Sequence, residues 1–319
     1  LVRKRTRLSD IHKLVTNEDG RIRSRLDPVG TNTGRLSSSK SQALRLTSEG
    51  WENTGTNLQN VTKELRAVFT PDDPTYYIIE EHSAGRDPST VNRIPRPELK
   101  LKLKEIKREI DSLDGKVDGQ GRPADWQYLC CKRIQHGSNY GAQPEKISEV
   151  IFGDSDGTID LSKRESTLYQ HFYKLRYQTD HRNESIRRKL SAEGALVAAC
   201  GIRRQFFGIR NRYDIDDAIV REASSFEPQA NTTWATNKAL ERLWFDVANR
   251  QSTGALHVEP LLQIHDALAG QYRQRDRDWA HSKLREWFNN PLTIGGTTVT
   301  IPADGKWGTD WKNCKESFL

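Results

Sequence analysis

The sequence predicts an α+β fold, and three observations carry the prediction. Tyr76-Tyr77-Ile78-Ile79 is a short aromatic and β-branched run of the kind that fills a core strand. Leu261 to Ile264 and Leu268 to Tyr272 are two further apolar runs separated by His265-Asp266, the pattern of a strand, a polar turn and a returning strand. Longer segments carry apolar residues at helical spacing, which makes the class mixed. The 319 residues are enough for a sizeable core with two or three subdomains around it.

Taken in order, the first fifty residues are basic and polar, with turns at Asp19-Gly20 and Pro28-Val29-Gly30, and read as a connection between short elements. Glu64 to Phe69 and Tyr76 to Glu80 are apolar enough for buried elements, and Pro71-Asp72-Asp73-Pro74 between them is a strong turn signal. His82 to Pro97 carries three prolines, after which Leu99, Leu103, Ile106, Ile110 and Leu113 predict a helix over 98–113. Its Lys100, Lys102, Lys104, Lys107 and Arg108 suit either a solvated face or a DNA contact. Further helices are predicted over 126–139, 161–188 and 234–248. No short internal repeat is visible.

Charged residues make up 29% of the chain and the formal net charge is +7, a balance that suits an anionic partner without specifying one. No run of eighteen apolar residues occurs, and Leu1-Val2-Arg3-Lys4-Arg5 leads into polar sequence, so the expectation is an intracellular protein with no membrane partner. Cys130, Cys131, Cys200 and Cys314 form neither a zinc spacing nor a disulfide framework, which is the pattern of reduced thiols. There is no methionine, where ordinary composition supplies roughly six, and the first residue is Leu1. A piece of a longer chain, omitted modified methionines, or stretches missing from the sequence would each account for part of this.

The polar constellations suggest nucleic-acid chemistry. Thr31 to Ser39 and Asn57-Leu58-Gln59-Asn60 set hydroxyls, amides and Arg35 beside turns, where they can contact phosphates and the minor groove, although such residues are more often caps and turns. Lys132, His136 and Tyr140 recur every fourth residue and share one face of a helix. That face could hold a triphosphate and stack on its base, or could be a surface lysine with two partly buried rings.

In this order TNTGRLSSS (31–39), TGTNLQN (54–60), ELRAVFTP (64–71), CKRIQHGSNYG (131–141), EPQANTTWATN (227–237), QIHDALAGQY (263–272) and IPADGKWGTDW (301–311) resemble the polymerase region of phage-like family A DNA polymerases. The resemblance implies a right-hand architecture with an antiparallel palm sheet and helical fingers, the thumb absent or truncated. It implies a thumb-proximal connection and first palm segment over 1–80, largely fingers over 81–225 with the nucleotide-binding helix near 126–141, and palm over 226–319 with a catalytic hairpin near 261–273. The implied reaction is template-directed transfer of deoxynucleotides from dNTPs to a primer 3′-hydroxyl, with primer-template DNA, dNTPs and replication proteins as partners. For a bacteriophage protein the place would be the host cytoplasm.

Residue by residue, Lys132 and Tyr140 match the family's nucleotide-binding lysine and tyrosine, and His136 stands where a phenylalanine or tyrosine is frequent. Tyr128 replaces the basic residue expected one turn before Lys132. Arg35 and Gln229 resemble residues that monitor the duplex near the primer end, with Asn57, Gln59, Asn60, Arg203 and Arg204 as further DNA contacts and His265 placing the primer terminus. Asp266 matches the aspartate that binds Mg2+, two ions being expected during catalysis. Ala267 stands where many relatives carry another acid, and after Glu80 the expected aspartate pattern is missing, because the chain continues Glu81-His82-Ser83-Ala84-Gly85-Arg86-Asp87. Asp87 lacks the surrounding pattern, so either residues are omitted between Glu80 and Asp87 or the protein is a disabled polymerase-like primer-template binder. A palm-related RNA polymerase fits TGRLSS and NLQN less well.

Overall fold

The computed structural model describes residues 21–28, 30–40, 44–47, 50–53, 57–61, 65–83, 112, 116–119, 121, 124–177, 179–209, 213–314 and 316–317. Apart from Ser112, the helix expected over 98–113 lies outside them, as does Asp87. The chain forms two compact units, one of Leu1–Pro88, Ala199–Ile202 and Gln229–Leu319, the other of Ser89–Ala198 and Arg203–Pro228.

In the first unit β1 (Ser24–Asp27) pairs with β2 (Ser37–Lys40), and β3 (Leu44–Thr47) with β4 (Gly50–Asn53), both antiparallel. Glu64 to Phe69, read as a buried element, holds a single 3-10 turn at Leu65–Val68 with Val68 exposed. The expected turn follows: the Asp73 carboxylate accepts hydrogen bonds from the Thr75 amide at 2.7 Å and hydroxyl at 2.6 Å, and the Tyr76 amide donates to the Asp73 carbonyl at 2.9 Å. It delivers the chain into β5 (Tyr76–Ser83).

The second unit is mainly helical. Its α1 (Trp126–Asn139) has the predicted bounds and buries Cys130, Ile134 and Ser138, one residue per turn, against Ile147 and Ile151 of α2 (Pro144–Asp154). Gly137 permits that contact, since a Cβ there would lie 2.7 Å from the Ile147 Cγ1. The helix predicted over 161–188 is two helices, α3 (Lys163–Tyr177) and α4 (Thr179–Glu193). Local polar signals override the apolar spacing. Ser162 and Glu165 close a capping box at the start of α3, with Ser162 N and Oγ donating to Glu165 Oε2 at 2.9 and 2.6 Å and Glu165 N donating to Ser162 Oγ at 3.2 Å. Thr179, buried, opens α4 with Asp180 in its first turn.

The chain then forms a hairpin of β6 (Ala195–Val197) and β7 (Arg203–Gln205), followed by α5 (Asp217–Phe245), whose residues divide between the units after Pro228. Only its second half was expected, because an interior proline normally ends a helix. Pro228 frees the carbonyl of Ser224, four residues earlier, and Arg182 Nη2 on α4 donates to that carbonyl at 2.7 Å. The loss of a helical bond is thereby offset by a charge-assisted one. Arg182→Met should lower the urea midpoint by an equivalent of about 1–3 kcal/mol with an unchanged m-value, because the carbonyl is left without this donor.

The rest of the first unit comprises β8 (Val258–Ile264), β9 (Ala267–Arg273), α6 (Arg277–Phe288), β10 (Pro291–Ile294), β11 (Thr297–Thr300), β12 (Ala303–Gly308) and β13 (Glu316–Ser317). Five strands make an antiparallel sheet in the order β13-β12-β5-β9-β8. Alternation sends Ile79, Leu268 and Tyr272 to one face, packed with Leu243, Leu284 and Trp287. Ile78, Ala267 and Ala269 go to the other, with Leu58, Ile264 and Trp311. Gly270 is required in β9, since a Cβ would lie 2.8 Å from the Glu259 carbonyl oxygen of β8. No helix among the described residues is long and apolar enough to cross a membrane.

On the first face the buried Tyr272 hydroxyl and His281 Nε2 are 2.7 Å apart. Burial raises the Tyr272 pKa, and burial followed by the charges of Arg277 and Arg285 lowers that of His281 from 6.5 to about 4. The folded state therefore holds fewer protons at His281 than the unfolded state does. Its contribution to stability is complete above pH 6.5 and is lost as pH falls toward 4. Unfolding midpoints between pH 7 and pH 4 should show a loss on the order of 1–2 kcal/mol, after allowance for residual screening, that is missing in His281→Gln.

Candidate active site

The last pair of the β8–β9 ladder is Ile264 with Ala267, so His265 and Asp266 form a two-residue turn. His265 has φ 54°, a left-handed conformation for which asparagine or glycine is the ordinary choice. Such a conformation costs a β-carbon residue roughly 1–2 kcal/mol, and it leaves the imidazole exposed at the tip. Asp266 is half-buried, and its carbonyl accepts a hydrogen bond from Thr236 Oγ1 on α5 at 3.3 Å. The turn is thus tied to a helix, and its carboxylate is carried on a rigid element rather than on a loop.

On the neighbouring strand Glu81 stands beside Leu268, and its side chain lies outside the described residues. In register, His82 lies beside Ala267 and Glu80 beside Ala269. Glu80 is buried, and both its oxygens accept from Arg66 Nη1 at 2.9 and 3.2 Å, while the Arg66 guanidinium lies 4.5 Å from the Trp311 ring centre. Its charge is already neutralised. Among the described residues no group of three or more His, Cys, Asp or Glu could hold a metal ion. The missing aspartate is expected after Glu80, where β5 instead runs on through Glu81, His82 and Ser83, and residues 84–87 lie outside the described residues.

An amide network joins the segment bearing Arg35 to the hairpin. Gln59 Oε1 accepts from Ser38 N at 3.0 Å, and its Nε2 donates to the carbonyls of Leu36 at 3.0 Å and Gln263 at 2.9 Å. Asn57 donates through Nδ2 to the Ser38 carbonyl at 2.9 Å and accepts from Gln59 N at 3.1 Å. From α5, Asn237 donates to the Gly34 carbonyl at 3.3 Å and accepts from Gln263 Nε2 at 2.8 Å. Gly34, at φ 74°, makes the turn that presents Arg35, and the Thr31 hydroxyl donates to the Arg35 carbonyl at 2.9 Å. The amides of Asn57 and Gln59 therefore act on the fold, as the cap-and-turn reading allowed. Arg35 is half-buried and its Nε has no hydrogen-bond partner among the described residues, and Gln229 is half-buried on α5. The Asn60 side chain lies outside the described residues. Sequence reasoning missed Gln263, Asn237 and Thr236, although Gln263, a polar residue inside the apolar run LLQI, was a legible signal.

In the second unit, Lys132, His136 and Tyr140 do follow one side of α1. The His136 and Tyr140 rings meet edge to face with centres 4.7 Å apart. Lys132 is exposed, and its Nζ lies 5.9 Å from the centre of the Tyr128 ring. Partial burial, then the charges of Arg133 and Lys132, lower the His136 pKa, which favours a neutral ring at neutral pH. Arg203 is exposed on β7, whereas Arg204 pairs with Glu222 and lies 4.6 Å over the Phe206 ring. Arg204 thus ties the hairpin to α5 by charge through Glu222 and by ring contact with Phe226, 5.9 Å from its guanidinium.

A scan of family models and a search of curated proteins each return no match. Among solved structures, the chain is similar to the POL domain of Pol1 from M. smegmatis, determined in complex with DNA primer-template and dNTP, with a TM-score of 0.64 and 17% sequence identity over 98% of this chain. The match spans 53% of that chain, about half its length. The mixed helices and antiparallel sheets of this protein share the fold of a DNA polymerase domain.

Proposed function

We propose that this chain is the polymerase region of a phage-like family A DNA polymerase that extends a primer on a DNA template, releasing pyrophosphate for each deoxynucleotide added. The observation that carries the reading is the His265-Asp266 turn, a left-handed histidine and a half-buried carboxylate at the tip of a palm-like hairpin. The polymerase-domain fold supports it. In this reading the five-stranded sheet is the palm, and the helices α1 to α4 belong to the fingers. Asp266 acts near the primer 3′-hydroxyl, His265 positions the terminus, and Arg35 and Gln229 monitor the minor groove. Lys132 neutralises triphosphate charge while His136 and Tyr140 pack against base and sugar.

Magnesium takes one or two carboxylates together with substrate phosphate oxygens and water, and Asp266 fits as one such ligand. When bound, the ion would stabilise charge on the reacting phosphate. For a pair of ions the described side chains offer Asp266, while Glu80 is held by Arg66 and the Glu81 side chain lies outside the described residues.

The occupied Glu80 favours a second reading, a primer-template binding protein without catalysis. Primer extension by the intact protein, with four dNTPs and magnesium at low salt, separates the two. Incorporation supports the polymerase, and tight primer-template binding without incorporation supports the disabled relative.

A further inference from the structure

The helix α3 is inside out. Its buried residues are polar: the Ser166 hydroxyl lies 2.7 Å from that of Ser148, and Gln170 Nε2 donates to the Ala142 carbonyl at 2.7 Å. Beside them the Tyr173 hydroxyl donates to Asn139 at 2.9 Å. The opposite side is apolar and exposed, with Leu168 at 51%, Phe172 at 59% and Leu175 at 64%. At about 100° per residue these three fall within an arc of roughly 60°, turned away from Ser166 and Gln170. Tyr169, also about half exposed, lies about 100° round from Leu168, and Tyr177, in the last turn, falls on the side of Ser166 and Gln170. A helix that merely covers a domain has the reverse pattern, and scattered single exposure does not produce a stripe.

The spacing i, i+4, i+7 is the seam that receives another helix. The charges beside it are mainly positive, from Arg164, Arg176 and Lys174, the last of which lies 3.9 Å from Asp180. The only carboxylate of α3, Glu165, is held by the amide and hydroxyl of Ser162. A second copy of this chain would set two basic rims together in a molecule already at +7. Single-stranded DNA would use the rings and cations but gain no stacking from Leu168 and Leu175, which define the stripe.

We propose that the outward face of α3 is a docking site for an amphipathic helix of a partner protein, with apolar residues at heptad spacing and acidic residues flanking them. The site does not depend on the polymerase reading. The test uses the intact chain and a fluorescent helical peptide of about 16 residues with leucines at the seam positions and glutamates beside them. Anisotropy should give binding in the tens of micromolar, several-fold weaker when salt is raised from about 50 to 300 mM. Phe172→Ser and Leu175→Ser should each weaken it about tenfold or more with unchanged melting midpoints. The proposal is overturned if the peptide fails to bind, if a lysine-flanked version binds equally well, or if the substitutions leave binding unchanged. It is equally overturned if they act instead on binding of an oligothymidine, or abolish a dimer seen by sedimentation velocity.

Discussion

Asp266→Asn is expected to reduce nucleotide incorporation about a thousandfold or more while leaving the fold and primer-template affinity intact. The side chain sits at the end of a turn whose backbone is held from α5, through the Thr236 hydroxyl on the Asp266 carbonyl. Asparagine keeps the size and one carbonyl oxygen, so the turn has no reason to move. What disappears is the negative charge, the only carboxylate that the described part of the hairpin tip offers to a cation. Single-turnover extension, with binding measured separately by anisotropy, isolates this loss. Near-normal incorporation would sink the assignment, and raising magnesium should restore little.

Lys132→Ala should raise the apparent KM for incoming dNTP by about 10- to 100-fold with little change in duplex affinity. Lys132 is exposed on the side of α1 that carries His136 and Tyr140, so its removal takes a charge from that side without opening a cavity. Lys132→Arg should recover part of the loss, because charge returns with a different shape. Steady-state extension at varied dNTP, beside a binding titration with DNA alone, gives both quantities. A dominant loss of duplex affinity would instead place Lys132 on the DNA track.

The hairpin was legible because period-two alternation and a polar dipeptide are local signals, and α1 because its apolar and polar faces repeat every turn. The full length of α5 was hidden by Pro228, since the group that compensates it, Arg182, is distant in sequence. The division between α3 and α4 was marked by Ser162 and Glu165 and by Thr179 and Asp180, which apolar counting overlooks. At the candidate site, residue types were readable but their allegiances were not. Asn57 and Gln59 look like groove contacts in one dimension, and only the folded chain shows Gln59 engaged with Ser38, Leu36 and Gln263.

That bridging glutamine also sets how the molecule opens. The strand leading from Arg35 and the strand leading to Asp266 share one side chain, and Asn237 closes a second loop between them. Neither strand can fray alone without stranding buried amides in the other. Native-state hydrogen exchange should therefore find Ser38, Gln59 and the amides of β8 and β9 released together, as one cooperative unit with a single opening free energy. The two halves of the candidate site would then be lost in a single event, so partial melting could not leave one half in place without the other.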